Sequence, residues 1–151
     1  PVHCSMPSTA YFIDSRQPAS GLIVIMGGWL RRALAELERQ VLPNRAPSST
    51  VAVNKHVTYR PHKDGGAGAG QGVSLIIGLG DYSGGELVVE GKVHNVRYKP
   101  LEFNGWTERH WTLPFRGERF SVVWFTPRGC EGQTLWGATD HGSGCDEQAI
   151  A

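Results

Sequence analysis

The feature that most constrains this chain is a succession of short β-favouring runs between residues 51 and 125. They are Val51-Ala-Val53, Val57-Thr-Tyr59, Val73-Ser-Leu-Ile-Ile77, Glu86-Leu-Val-Val89, Val93 to Tyr98 and Phe120 to Phe125. Each is rich in β-branched or aromatic residues, and turns such as Gly84-Gly85, Gly91-Lys92 and Lys99-Pro100 cut them apart. Strands this short, returned on themselves by glycine and proline, read as a sandwich or jelly roll. Twenty glycines and nine prolines among 151 residues agree with a mainly β chain. That length suits one domain with a real core and is too short for two ordinary ones.

Ahead of the strands the period changes. Trp29, Leu30, Ala33, Leu34, Leu37 and Val41 recur at helical spacing, with Arg31, Arg32, Glu36, Glu38 and Arg39 between them. This predicts an amphipathic helix that ends near Pro43 and supports one face of a sheet, with Arg31-Arg32 on its solvated side. The apolar run from Gly21 to Met26 is either a buried strand or the start of a helix, so one or two N-terminal supporting helices are expected. Residues 1–20 show no clear period. The core is expected over residues 21–127, and residues 128–151, rich in Gly, Ser, Thr and acidic groups, read as a flexible tail.

A net charge of +1 supplies no global field for nucleic acid or anionic lipid, although a local basic groove could still exist. Three scattered cysteines (Cys4, Cys130 and Cys145) lack metal-type spacing and argue against a disulfide framework. The reading is therefore an intracellular protein, nuclear or cytoplasmic and not secreted. The run from Leu22 to Met26 is too short to span a bilayer and lacks the flanks of a signal peptide, so no membrane partner is expected.

The chemistry-bearing residues cluster in Pro61-His62-Lys63-Asp64 and again from His110 to Ser121. Residues two apart in a strand share a face, so His62 and Asp64 can aim at one point while Lys63 faces away. With His110 from a distant strand they make the 2-His-1-carboxylate set that leaves positions open on Fe(II). Read singly, His62 and Asp64 are a surface turn pair and His110 a lone surface histidine. Arg119 follows His110 by nine residues, past Pro114 and Gly117, and shares a strand face with Ser121, Val123 and Phe125. Its guanidinium could grip a carboxylate with two hydrogen bonds, though an ion pair with Glu118 or Glu108 would also explain it. The glycines from Gly65 to Gly70 do not make a phosphate loop, because no Gly-Lys-Ser/Thr follows and no helix opens there.

Several pieces together carry a likeness: Asn54, Pro61-His62-Lys63-Asp64, the run from Ser74 to Leu87 with Gly84-Gly85, Phe103-Asn104-Gly105, His110, and Pro114 to Thr126. This half of the chain resembles the double-stranded β-helix (jelly-roll) core of the Fe(II)/2-oxoglutarate dioxygenases. Within them it looks most like the TET/JBP-like branch of algae and protists, although that branch usually carries Asp where Asn104 stands. The resemblance implies His62, Asp64 and His110 as iron ligands and catalytic centre. It implies Arg119 as partner of the 2-oxoglutarate C5 carboxylate, with Ser121, Asn54 and Tyr59 as further co-substrate contacts. The activity implied is hydroxylation of a C–H bond using O₂, with release of succinate and CO₂. Branch analogy points to a methylated base in DNA or RNA, and Lys55, Arg60, Lys63, Arg109 and Arg116 are candidate phosphate contacts. The competing readings are a non-catalytic jelly-roll module with a vestigial metal site, and a metal-dependent oxygenase that uses another reductant such as ascorbate.

Overall fold

The computed structural model describes residues 9–15, 23–24, 28–65 and 68–136. The described residues are mainly β with one helix. Its main sheet has six strands in the order β2-β1-β3-β11-β4-β8. These are β1 (Thr9–Asp14), β2 (Ile23–Val24), β3 (Thr50–Lys55), β4 (Ser74–Leu79), β8 (Leu101–Phe103) and β11 (Phe120–Phe125). Only the β1–β3 pair is parallel; the other pairs of this sheet are antiparallel. A second sheet pairs β7 (Lys92–His94), β6 (Leu87–Val89) and β9 (His110–Thr112). A short ribbon joins β10 (Phe115–Gly117) to β5 (Tyr82–Gly84).

Alternation along three central strands divides the interior in two. Val51 and Val53 of β3, Leu75, Ile77 and Leu79 of β4, and Val122 and Trp124 of β11 point to one side. The helix α1 (Gly28–Val41) covers that side with Leu30, Leu34, Ala35, Leu37 and Val41. Their four-three spacing is the apolar stripe of a helix laid on a sheet. Trp124 is fully buried, and its indole N–H donates to the Leu34 carbonyl at 3.0 Å, pinning helix to sheet. The intervening residues Ala52, Asn54, Ile76, Ser121, Val123 and Phe125 face a cavity. Beyond it, Leu87, Val89, Val96 and Phe103 close a second cluster around Ile76.

Two details of the helix reverse the sequence expectation. Trp29 is 76% exposed, whereas Glu38 lies on the buried face. Glu38 is held there by Arg45 and by the Ser48 N–H and hydroxyl, and Arg45 reaches on to Glu102 and the Val73 carbonyl. A buried carboxylate survives only when paired and hydrogen-bonded in this way.

Other elements also differ from expectation. Residues 57–60 form no strand, and the expected strand from Val93 to Tyr98 is confined to Lys92–His94. Residues Thr9–Asp14, in the segment without a clear period, add a strand beside β3. Of the run from Gly21 to Met26, Ile23–Val24 is strand, and a second N-terminal helix is not found among the described residues.

The tail expected from residue 128 is corrected over its first part. Leu135 is 1% exposed within the helix-side core, and its N–H donates to the Ser48 carbonyl at 3.1 Å. One leucine at the right place outweighs the polar composition around it, because its burial is worth about 2 kcal/mol. Residues 137–151 lie outside the described residues. Cys130 is buried and disulfide-bonded, which corrects the expectation of unpaired cysteines at that position. Among the described residues no helix is long and apolar enough to cross a membrane. Leu135→Ala should destabilise the fold by about 2–5 kcal/mol, measured by urea unfolding; a change under about 0.5 kcal/mol would show that the segment contributes little.

Candidate metal centre

His62 and His110 are brought together by backbone pairing. Each donates its N–H to the other's carbonyl, at 3.0 and 2.9 Å, as an isolated antiparallel bridge. Residues opposed in an antiparallel bridge project side chains to the same face, so the two imidazoles meet with centroids 4.4 Å apart. Asp64, two residues on, comes back to that face. Its Oδ1 lies 3.5 Å from His62 Nε2 and 3.4 Å from His110 Nε2. All three ligand atoms fall within 4.8 Å of one another, and they are the one such His/Cys/Asp/Glu group among the described residues.

The supporting contacts orient each ligand. His62 Nδ1 faces the Arg60 carbonyl at 2.7 Å, and His110 Nδ1 faces the Glu108 carbonyl at 3.0 Å. A carbonyl only accepts, so both Nδ1 atoms carry hydrogen, and in the neutral rings both Nε2 lone pairs are turned to the centre. The Phe103 ring packs edge-on to His110 at 4.8 Å. Asp64 Oδ2 accepts from Gln71 Nε2 at 2.9 Å, and the Asp64 N–H donates to the Gly105 carbonyl at 2.8 Å.

This donor set fits a first-row divalent ion. An ion about 2.0–2.2 Å from each atom would hold adjacent ligand atoms about 3 Å apart on one octahedral face. For the two Asp64–histidine pairs, contraction from the observed 3.5 and 3.4 Å is a few tenths of an ångström, and the three atoms lie within 4.8 Å of one another before an ion draws them in.

Without an ion the three groups share charge. Burial opposes ionisation of Asp64, but the His110 and His62 imidazoles and the Gln71 amide more than offset it, and the carboxyl sits below its ordinary value. Burial likewise opposes protonation of His110, yet Asp64 and the Glu108 carbonyl raise its pKa. At 3.4 Å the His110–Asp64 contact is too long for a good hydrogen bond, so we assign this mutual effect mainly to charge attraction. Tyr59 is raised by burial and then by the Asp64 charge.

The cavity in front of these residues has a volume of about 350 Å³. Tyr59, Asn54 and Ser121 form a hydrogen-bonded chain along its wall. The Tyr59 hydroxyl donates to Asn54 Oδ1 at 2.8 Å, and Asn54 Nδ2 donates to Ser121 Oγ at 3.3 Å. The last two are opposed across β3 and β11.

Arg119 departs from expectation in part. It is 1% exposed and does not line the cavity, although Ser121, Val123 and Phe125 do. Its guanidinium lies against the Tyr82 and Phe115 rings, 5.5 and 5.4 Å from their centroids, and donates to the Gly85 carbonyl at 3.2 Å. Neither Glu108 nor Glu118 pairs with it, nor does any other carboxylate of the described residues, and its Nε has no acceptor. Burial pulls its pKa down, while Tyr82 and Glu86 oppose the shift. The Tyr82 hydroxyl has no hydrogen-bond partner by geometry, so its influence is one of proximity.

Two residues of the site had no role in the sequence reading. Gly105 touches Asp64 so closely that a Cβ there would sit 2.1 Å from Oδ2. Gln71 lies in the glycine-rich loop, where nothing in residue type separates a ligand-orienting amide from a surface one. Asn104 caps its turn: its Oδ1 accepts the Thr107 N–H at 3.2 Å. Of the five basic residues, Arg60, Lys63, Arg109 and Arg116 are exposed, Lys55 lies over the Phe120 ring, and none lines the cavity.

No protein-family model matches the chain, and no curated protein matches it.

The raised His110 and lowered Asp64 values set a pH dependence. Protonated His110 stabilises the metal-free fold below the ordinary imidazole pKa, and that contribution is lost as pH rises through the raised value. Ionised Asp64 contributes above the ordinary carboxylate pKa, and loses its contribution as pH falls through the lowered value. A metal ion must displace the His110 proton, so metal affinity should fall as pH drops through the His110 pKa. NMR titration of the metal-free protein should show His110 above an ordinary imidazole, and Asp64→Ala should bring it down. An unchanged His110 value in that variant would contradict the assignment.

Proposed function

We propose that the protein is an Fe(II)- and 2-oxoglutarate-dependent dioxygenase built on a double-stranded β-helix. The observation that carries this reading is the convergence of His62 Nε2, Asp64 Oδ1 and His110 Nε2 beside a mostly apolar cavity. Two neutral imidazoles and one carboxylate grouped to one side suit Fe(II) with positions left for exchangeable ligands. When bound, iron with 2-oxoglutarate and O₂ supplies the oxidising power to hydroxylate a C–H bond, releasing succinate and CO₂.

The chain's own contribution is positioning. The carbonyls of Arg60 and Glu108 hold the histidine tautomers, and Gln71 and Gly105 hold Asp64. Ile76, Leu87, Phe103 and Val123 make the cavity walls apolar and exclude water from the reacting centre. Arg119 is a buried cation lacking a carboxylate partner, a costly state that an anionic co-substrate would relieve. Arg119 does not line the cavity, so the site must rearrange before a C5 carboxylate could reach it. Ser121, Asn54 and Tyr59 offer hydroxyl and amide groups to the same molecule.

The same separation of Arg119 favours a second reading, a metal-dependent oxygenase that does not use 2-oxoglutarate and draws on a reductant such as ascorbate. Stoichiometric succinate release separates the two, its absence favouring the second, and absence of any turnover with either reductant would favour a binding module with a vestigial site. For substrate, exposed Arg60, Lys63 and Arg109 adjoin the proposed ligands in sequence and support a nucleic acid carrying a methylated base. Affinity for a methylated oligonucleotide should then fall steeply as salt rises; salt-independent binding would point to a protein or small molecule.

Anaerobic titration with Fe(II) and 2-oxoglutarate tests the central reading, since chelation produces a visible charge-transfer band. Arg119→Lys keeps the charge but loses the two-pronged fork, so it should weaken 2-oxoglutarate binding at least tenfold and leave iron affinity unchanged. Equal loss of both would make Arg119 structural. No band in the wild-type protein would overturn the use of 2-oxoglutarate.

A further inference from the structure

Among groups that touch the centre without being ligands, Gln71 is held most completely. It is 6% exposed, and Nε2 donates to Asp64 Oδ2 and to Ser74 Oγ, both at 2.9 Å. Both amide hydrogens are therefore used. The reversed amide would set Oε1 against the carboxylate, oxygen to oxygen, so the orientation follows from chemistry. Its backbone is tied to the chain just past β11: Gln71 bridges Pro127, Gly72 N–H donates to Thr126 O at 3.0 Å, and Arg128 N–H donates to Gly70 O at 2.9 Å. A loop that leaves Asp64 thus returns to it seven residues later, anchored to the main sheet.

Gly105 also packs against Oδ2, leaving no space there for a Cβ. Oδ2 thus meets the Gln71 amide and Gly105, while Oδ1 lies against the imidazoles. A carboxylate can bind a divalent ion through one oxygen or both. A charge-assisted hydrogen bond to one oxygen biases it to the other.

We propose that Gln71 is a positioning residue of the metal centre, which holds Asp64 as a one-oxygen ligand and so keeps a further position on the ion open. The proposal rests on the metal-binding reading above. It assigns a purpose to the glycine-rich loop: to carry an amide back to a ligand rather than to cradle phosphate.

The test uses Co(II) alone as probe, added to the metal-free full chain, with affinity and visible d–d absorption as readouts. Gln71→Met keeps length and packing but removes both donors. It should bind Co(II) about 10–100-fold more weakly. Its d–d bands should also change intensity as Oδ2 joins the coordination, a signature that simple loss of packing would not give. Ser74→Ala leaves the Gln71–Asp64 contact but removes the second anchor, and should fall between wild type and Gln71→Met. If Gln71→Met does not fold, the Ser74→Ala variant carries the test, and wild-type affinity and spectrum in it would overturn the proposal. Wild-type affinity and spectrum in a folded Gln71→Met protein, while Asp64→Ala binds no Co(II), would overturn it and leave the metal reading standing. A wild-type protein that binds no Co(II) would overturn both.

Discussion

The structure depends on the pairing of β11 between β3 and β4. In this register Val122 and Trp124 turn to the helix, while Ser121, Val123 and Phe125 turn to the cavity. A slip of one residue would exchange the two sets and turn the Trp124 indole into the cavity, in the place of Val123 or Phe125. Such a slip would cost the packing of the largest fully buried side chain and its hydrogen bond to Leu34. The helix-side core therefore holds the cavity-side chemistry in place, although the two never touch.

The metal candidates are held by a different device. His62 belongs to no long strand; two backbone hydrogen bonds to His110 set its place. Because those bonds sit in the peptide groups, both side chains remain free for chemistry. The cost is a cluster of two imidazoles and a carboxylate half-removed from water. Without a metal, attraction between protonated His110 and ionised Asp64 offsets part of that cost. The proton and the metal compete for the same lone pair, which couples affinity to pH.

Arg119 shows the opposite balance. Its cation is buried more completely than any of the metal candidates, yet it meets one carbonyl and two ring faces. Aromatic faces and a carbonyl soften the loss of hydration without replacing a counter-charge. Gly85 contributes by being small, since a Cβ there would come within 2.8 Å of Arg119 Nε. Its positive φ of 72° is a conformation glycine adopts without strain. The arrangement is one that an anion would complete.

By itself the sequence determined the β-rich class, the helix over α1, and the three side chains of the metal candidate. The class, the helix and the His62–Asp64 pair are local matters: apolar period, turn chemistry, and a residue two positions along an extended chain. His110 is far along the sequence, and backbone pairing brings it in. Asn54, Tyr59 and Ser121 were also named from it, and they meet in one hydrogen-bonded chain. Only the tertiary structure decided the rest. Glu38 turned inward because Arg45 and Ser48 were waiting there, and Trp29 turned out because the helix lies on its other side. Leu135 joined the core from a polar stretch, since one well-placed leucine is invisible to composition. The short strands β5, β8, β9 and β10 carry too few residues to show a period, and their pairing partners lie far along the chain. Gln71 reached Asp64 because the sheet returned its loop to that point, and no spacing rule encodes where a glycine-rich loop comes back.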